Sequence, residues 1–449
     1  MKSLFKYIFI SLLLLVSCKP DPEQPEEITP PQLVSVNPAN GATDVSENLT
    51  RIVMIFNENV TLKTGYNITL NGSPVSDVQP GTNKELTITV SSLSVSTSYT
   101  LIMPANTVKG PTGVYLPSEI KITFRTYTPP VRTFSAEAQK VLDFLKSIYG
   151  TKTISGTMAN VNWNTDEADW VKAQTGKYPA LNCFDYVHHV FSPASWIDYS
   201  NTTVAENWWN NNGLVAIMWH WNVPKNINSG SSTEYAFYAS DTNFDLNKIS
   251  DTNSAEYKLI IKDIDIIAGY LKLLKNKNIP VIWRPLHEAA GNTNSYTGGT
   301  AWFWWGAKGA APFKALWKLM FERLTTTHQL NNLIWVWTSQ GNDPDWYPGD
   351  EYVDIAGRDL YPETNVHDSQ IAEFNKVKTI INGHKMIALS ECSGIPDPDK
   401  MMQNGDTWLW FMPWYGDYTR TDKYNGPAYW KSLFNNPAVI TRDKMPSLK

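Results

Sequence analysis

The sequence predicts an α/β protein of the (β/α)8, or TIM, barrel class, carried behind a smaller all-β sandwich. Three observations lead there. From about residue 131, short apolar runs alternate with amphipathic stretches of helical spacing. Two of those runs end abruptly in a glutamate, at Glu288 and Glu391. Residues 32–128, by contrast, show β-rich runs between turn residues and no helical periodicity.

The first eighteen residues read as an export signal. Lys2 and Lys6 precede a short apolar run, Ile8 to Val16, too short for the roughly 20 residues that a membrane span needs. Leu15-Val16-Ser17-Cys18 resembles a bacterial lipoprotein cleavage site, which implies lipidation of Cys18. Residues 19–31, rich in Pro and Glu, form the expected solvated tether. An acidic stretch just after the cysteine resembles the surface-export signal of Bacteroidetes-type lipoproteins. The expected location is therefore the outer membrane, facing the cell surface, with the membrane touched only through the lipid.

In residues 32–128 the expected strands are Arg51–Phe56, Asn67–Leu70, Glu85–Val90, Tyr99–Met103 and Lys121–Arg125. Asn71-Gly72 offers a hairpin turn because both residues accept positive φ. The opening Asn37-Pro38-Ala39-Asn40-Gly41-Ala42, Phe56-Asn57-Glu58 and the closing Phe124-Arg125-Thr126 resemble bacterial Ig-like domains. No tryptophan occurs there, so a sugar-stacking platform is missing and a spacer role is expected. Thr128-Pro129-Pro130 reads as a stiff linker into the domain spanning 131–449.

That second domain should carry eight strands: Thr153–Met158, Tyr178–Phe184, Leu214–Trp219, Pro280–Leu286, Leu333–Thr338, Val353–Leu360, Lys385–Ser390 and Trp408–Met412. Ala136–Ile148, Tyr257–Lys275 and Phe313–Thr327 have helical spacing. In this order Glu288 follows the fourth strand and Glu391 the seventh, about a hundred residues apart, as three βα units require. Both then reach the same rim, where barrel active sites lie. A carboxylate ending a buried strand must be partnered or functional. Arg284, on the same strand face as Glu288, offers a purely structural partner.

Composition narrows the chemistry. The formal charge is −5 with no basic block, which argues against nucleic acid as a partner. All nineteen tryptophans lie at or after Trp163, so the aromatic load belongs to the barrel. In Trp302-Phe303-Trp304-Trp305 the four rings cannot all point inward from one element, so some should line a cleft. An indole stacks well on an apolar sugar face. His287-Glu288 lacks the second histidine of a helical zinc motif, since that position is Gly291. Neither His188-His189 nor His220 has a spacing that demands metal, and no metal or organic cofactor is expected. Cys183 and Cys392 are expected to be two ordinary thiols.

Two facing carboxyl groups can cut a glycosidic bond, one protonating the leaving group and the other attacking as an anion. Trp283-Arg284-Pro285-Leu286-His287-Glu288, the following Trp-Phe-Trp-Trp-Gly, and Gly357-Arg358-Asp359-Leu360-Tyr361 together resemble family 26 glycoside hydrolases. These are retaining barrel enzymes dominated by β-mannanases. The resemblance implies that Glu288 is the general acid/base and Glu391 the nucleophile. It implies that His287 orients the acid and contacts sugar, and that Tyr361 hydrogen-bonds the nucleophile. Trp302 would pack beside the reacting sugar and His220 would bind its hydroxyls. Asp359 would be an orienting residue of the substrate site, with Asp185 and Trp414 lining it. The sequence departs from the family pattern at Asn292 to Thr300, a long Gly/Thr-rich loop expected near the leaving-group side.

The expected activity is thus a retaining endo-β-1,4-mannanase acting on mannan, glucomannan, galactomannan and manno-oligosaccharides. A family member cutting another β-glycan, such as β-1,3-xylan or mixed-linkage glucan, is the alternative within the enzyme class. A non-catalytic surface glycan-binding lipoprotein is the alternative outside it, although binding alone needs neither carboxylate.

Overall fold

The computed structural model describes residues 29–449 apart from 48, 92, 129–130, 161–162, 230–232 and 293–300. Cys18, the export signal, most of the tether, the Pro129-Pro130 linker and nearly all of the long 292–300 loop thus lie outside the described residues. The chain forms two compact units, the larger comprising Thr126–Lys449 with the stretches Thr43–Asn48 and Leu93–Thr97.

The N-terminal unit is built on antiparallel sheets. One orders Leu33–Asn37, Arg51–Phe56, Glu85–Thr89 and Asp77–Pro80. Another orders Ala42–Val45, Ile120–Thr126, Ser98–Met103, Thr69–Leu70 and Ser73–Pro74. Alternate residues of the long strands are buried, as half-buried strands require: Ile52, Met54 and Phe56 from one, Ile122 and Phe124 from another. The Asn71-Gly72 turn forms as expected, with φ of 50° and 81°, and joins Thr69–Leu70 to Ser73–Pro74. The short strands Thr61–Leu62, Asp77–Pro80 and Val108–Lys109 escape sequence reading, because two to four residues carry too little alternation to be read.

The larger unit is a closed barrel of eight parallel strands. These are β1 (Thr153–Met158), β2 (Leu181–Asp185), β3 (Leu214–Trp219), β4 (Val281–Pro285), β5 (Leu333–Ser339), β6 (Ile355–Leu360), β7 (Met386–Cys392) and β8 (Trp410–Pro413). Each pairs in parallel with its neighbours, and β1 closes the ring against both β2 and β8. Every residue of all eight strands is buried, which explains why they read as continuous apolar runs. Helices such as Ala136–Ile148 and Ala255–Lys275 bury one stripe each, the latter capped by the Ser254 hydroxyl accepting from the Tyr257 amide at 3.0 Å. The helix expected over Phe313–Thr327 runs from Ala310 to Glu322 and finishes in a wider turn, Arg323–Thr327.

Ten tryptophans are fully buried, among them Trp219, Trp221, Trp283, Trp335, Trp337 and Trp408. The tryptophan load that pointed to a cleft therefore builds mainly core. Cys183 and Cys392 are buried free thiols.

Candidate active site

Strand β4 ends at Pro285, and the chain then makes a tight turn through Leu286-His287-Glu288. Leu286 and Glu288 both adopt positive φ, 52° and 49°. Non-glycine residues there cost about 1–3 kcal/mol each and persist only where the surroundings dictate them. Here the aromatic cluster does so. The Trp305 indole donates to the His287 carbonyl at 2.9 Å, Trp304 donates to the Trp221 carbonyl at 2.7 Å, and Trp302 donates to Glu288 Oε2 at 3.0 Å. Phe303, Trp304 and Trp305 are buried, while Trp302 is half-buried. The cluster thus divides as its length requires: most rings pin the turn, and Trp302 faces the carboxyl.

Strand β7 delivers the second carboxylate through a bulge. Leu389 pairs with Arg358, but the next partner of Asp359 is Glu391, so Ser390 and Glu391 together oppose Asp359. Ser390 Oγ donates to Asp359 Oδ1 at 2.6 Å. The extra residue re-aims Glu391 toward the barrel mouth, a common device beside active sites. Sequence reading ended this strand at Ser390; it continues to Cys392, so Glu391 lies within it rather than after it.

Arg284 occupies the centre of the arrangement. It is 3% exposed and donates to Asp359 Oδ2 at 3.1 Å, to Thr338 Oγ1 at 3.3 Å and to Glu391 Oε1. The sequence offered Arg284 as the partner of Glu288; across the barrel it pairs instead with Glu391 and Asp359. Tyr361, on the loop after β6, donates its hydroxyl to Glu391 Oε2 at 2.7 Å. Both oxygens of Glu391 are therefore held. One carboxylate oxygen each of Glu288, Asp359 and Glu391 lie within 4.8 Å of one another.

Electrostatics separate the two glutamates. Burial, with Asp359 and Glu391 nearby, pushes the Glu288 carboxyl well above the usual range, Arg284 and Gln340 only partly offsetting it. Burial and Asp359 also raise Glu391, to about 7, while Arg284 and Tyr361 pull it back. The two titrate as a pair in which Glu391 ionises first and Glu288 keeps its proton longer. His287 is held neutral, first by burial and then by the neighbouring His220 and Arg284. Burial of its hydroxyl end and the facing Glu391 push the Tyr361 phenol well above its ordinary value, so it stays a donor.

A pocket of about 320 Å³ opens above the pair, lined by His220, Tyr238, His287, Glu288, Trp302, Phe303, Tyr361, Glu391 and Trp414. Among the described residues, His287 Nδ1 has no hydrogen-bond partner although buried. The His220 ring packs at 4.4 Å from that of His287, its Nδ1 lying 2.6 Å from Asp185 Oδ2, which also accepts from the His220 amide through Oδ1 at 3.0 Å.

Of the residues singled out in the sequence, Glu288, Glu391, His220, His287, Trp302, Tyr361 and Trp414 thus meet in one pocket. Two do not reach it. Asp359, expected to orient residues of the substrate site, and Asp185, expected to line it, have fully buried side chains engaged by Arg284 and Ser390 and by His220 respectively. Each acts through the residue it holds. Tyr238 lines the pocket unannounced; it sits on the loop after β3, tied to the aromatic cluster by the antiparallel bridge Tyr238–Phe303 and by the Ala239 amide donating to the Trp302 carbonyl at 2.7 Å. Arg284 carried a signal, a charge inside an apolar run, but its partner lay 107 residues ahead.

Parallel barrel, facing carboxyl pair and aromatic-walled pocket are the arrangement that glycoside hydrolysis requires. More narrowly, residues 132–444 match the model of glycosyl hydrolase family 26, and the chain belongs to that family. Residues 27–126 match a bacterial Ig-like domain. A mannan endo-1,4-β-mannosidase from Thermothelomyces thermophilus is 37% identical over 316 residues, 69% of this chain and 61% of that protein. A second, from Piromyces, is 36% identical over 69% of this chain and 49% of its own. The chain thus spans about half to three-fifths of the length of these curated relatives. Among solved structures, the family 26 domain of an endo-β-mannanase/endo-β-glucanase from Prevotella bryantii is 36% identical with a TM-score of 0.61, covering 70% of this chain and 97% of that one. A β-mannanase from a symbiotic protist of the termite Reticulitermes speratus, solved with a gluco-manno-oligosaccharide, is 35% identical with a TM-score of 0.63, over 71% and 98%.

Proposed function

We propose that the protein is a retaining endo-β-1,4-mannanase with Glu391 as nucleophile and Glu288 as general acid/base. The observation that carries this is the separation of the pair, oxygens within 4.8 Å. Retaining enzymes place their carboxyls about 5–5.5 Å apart, whereas inverting ones need about 6.5–9.5 Å for an intervening water. Protonated Glu288, steadied by the Trp302 indole, gives its proton to the leaving oxygen. Ionised Glu391, aligned by Arg284 and Tyr361, attacks the anomeric carbon to form a glycosyl-enzyme. Glu288, now a base, then activates the water that releases the sugar. His287 and His220 would take sugar hydroxyls, with Trp302 and Trp414 covering apolar sugar faces.

The mannan substrate is supported by the relatives named as mannanases, the Prevotella domain belonging to an endo-β-mannanase/endo-β-glucanase. Purified mannan, glucomannan, galactomannan, β-1,3-xylan and mixed-linkage glucan, incubated with the protein, decide the matter. Early mixed manno-oligosaccharides are expected. A single short product from the outset would indicate end-directed action, and hydrolysis of only the other glycans would overturn the mannanase reading. The pattern of residues 1–18 supports anchoring through a lipid on Cys18, with the Ig-like domain as spacer at the cell surface. Labelled fatty acid should enter the protein and be lost in Cys18→Ser; labelling that survives the substitution would refute the anchor.

A further inference from the structure

The helix Ala255–Lys275 buries a stripe of Ile260, Ile264, Ile267, Leu271 and Leu274, and Asp263 lies within it. Asp263 is 3% exposed, and among the described residues no lysine or arginine pairs with it. A carboxylate at such a position costs stability unless it is partnered, and an apolar residue would fill the stripe at less cost. Its partners explain its presence.

Asp263 Oδ2 accepts from the Trp221 indole at 2.9 Å and lies 3.3 Å from His189 Nε2. His189, in the short turn His189–Phe191 after β2, is itself buried. Its Nδ1 lies 3.3 Å from the Trp219 indole nitrogen. An indole nitrogen only donates, so Nδ1 accepts and Nε2 carries the hydrogen toward Asp263. One carboxylate thus holds the residues on either side of His220, Trp221 directly and Trp219 through His189. The two indoles stack on each other at 4.0 Å and 16°. His220 turns instead to Asp185 and His287, and lines the pocket above the carboxyl pair.

We infer that Asp263 and His189 are positioning residues for His220: they lock its two neighbours and so fix where its imidazole enters the pocket. Asp185 engages the ring itself, whereas the Asp263–His189 pair holds the chain that carries the ring. Placement matters at this point, because a shift of about 1 Å in a group that positions substrate can cost about 10²-fold in rate. The inference rests on the mannanase reading, in which His220 takes sugar hydroxyls.

The test is a double-mutant cycle on mannan, combining Asp263→Ala with His220→Ala. Asp263→Ala should lower kcat/KM about 10- to 100-fold when His220 is present, and by no more than about twofold in the His220→Ala background. Asp263→Asn, which keeps an acceptor oxygen, should retain activity within about threefold of wild type. His189→Leu and His189→Gln run through the same cycle, so that the outcome does not depend on one variant folding. Leucine should behave as Asp263→Ala does, and glutamine, which can accept from Trp219 and donate to Asp263, should restore most of the loss. Equal losses in both backgrounds, no loss, or conservative variants no better than the others would overturn the assignment. A second measurement stands apart from turnover. With histidine rings labelled with nitrogen-15, the His220 signals, assigned by their disappearance in His220→Ala, should move in Asp263→Ala and stay in place in Asp263→Asn. Unmoved signals in Asp263→Ala would overturn the assignment whatever the enzyme cuts. If wild type cuts no mannan while those signals do move, the mannanase reading falls and the positioning role stands.

Discussion

At the scale of single residues, the site works by giving two chemically identical side chains different surroundings. Glu288 has one indole donor and two carboxylates nearby, while Glu391 has a guanidinium and a phenol. Glu391→Gln should therefore abolish turnover by about 10⁴-fold or more while far-UV circular dichroism stays unchanged. Glu288→Ala should lose about 10²–10⁴-fold on mannan but far less in the glycosylation step of an activated aryl mannoside, whose leaving group needs no proton. Pre-steady-state release of the phenol measures this directly. Asp359 raises both glutamates by its charge, so Asp359→Asn should move both limbs of the pH–rate profile to lower pH. The acidic limb reports Glu391 ionising and the alkaline limb Glu288 losing its proton. A substrate-contacting Asp359 would instead raise KM with the limbs in place.

At the scale of elements, two backbone irregularities do what regular strands cannot. The positive-φ turn after β4 and the bulge in β7 both turn a carboxylate toward the mouth. The turn is sensitive to its packing. A Cβ on Gly306 would collide with the carbonyl of Ala289, one residue beyond Glu288, and with the Ala301 side chain. Backbone cannot yield there as a side-chain tip can. Gly306→Ala should cost about 1–3 kcal/mol in chemical denaturation and reduce kcat by displacing Glu288. Unchanged kcat would show that the turn is held independently of the aromatic cluster.

The element pattern was the legible part. Eight buried runs, three helices and the Asn71-Gly72 turn stand where periodicity and turn chemistry put them, within a few residues. What escaped was short or compensated: two-residue strands, the Ser390 bulge, the extra residues of β7. Local pattern cannot report a register shift, because the shift is defined only against the neighbouring strand.

At the scale of the whole molecule, barrel closure brings β4, β6 and β7 together, so one arginine can serve two carboxylates from different strands. The three acids Glu288, Asp359 and Glu391 are close enough to share a cation, but the Arg284 guanidinium already sits against two of them. A metal would have to displace a buried, doubly paired charge. Hydrolysis should accordingly survive exhaustive treatment with a chelator, and loss restored by one particular divalent ion would contradict that assignment.

By itself, the sequence determined which segments are strands, that they come in barrel order, and that two of them end near glutamates. Those properties are written in near neighbours, through apolar runs, spacing and motif. Only tertiary structure decided that Arg284 belongs to Glu391, that Asp185 stands behind the substrate site, and that most tryptophans fill the core. Each of these depends on which side chains meet across the ring. A charge finds its partner through space, and the strands that supply it can lie a hundred residues apart.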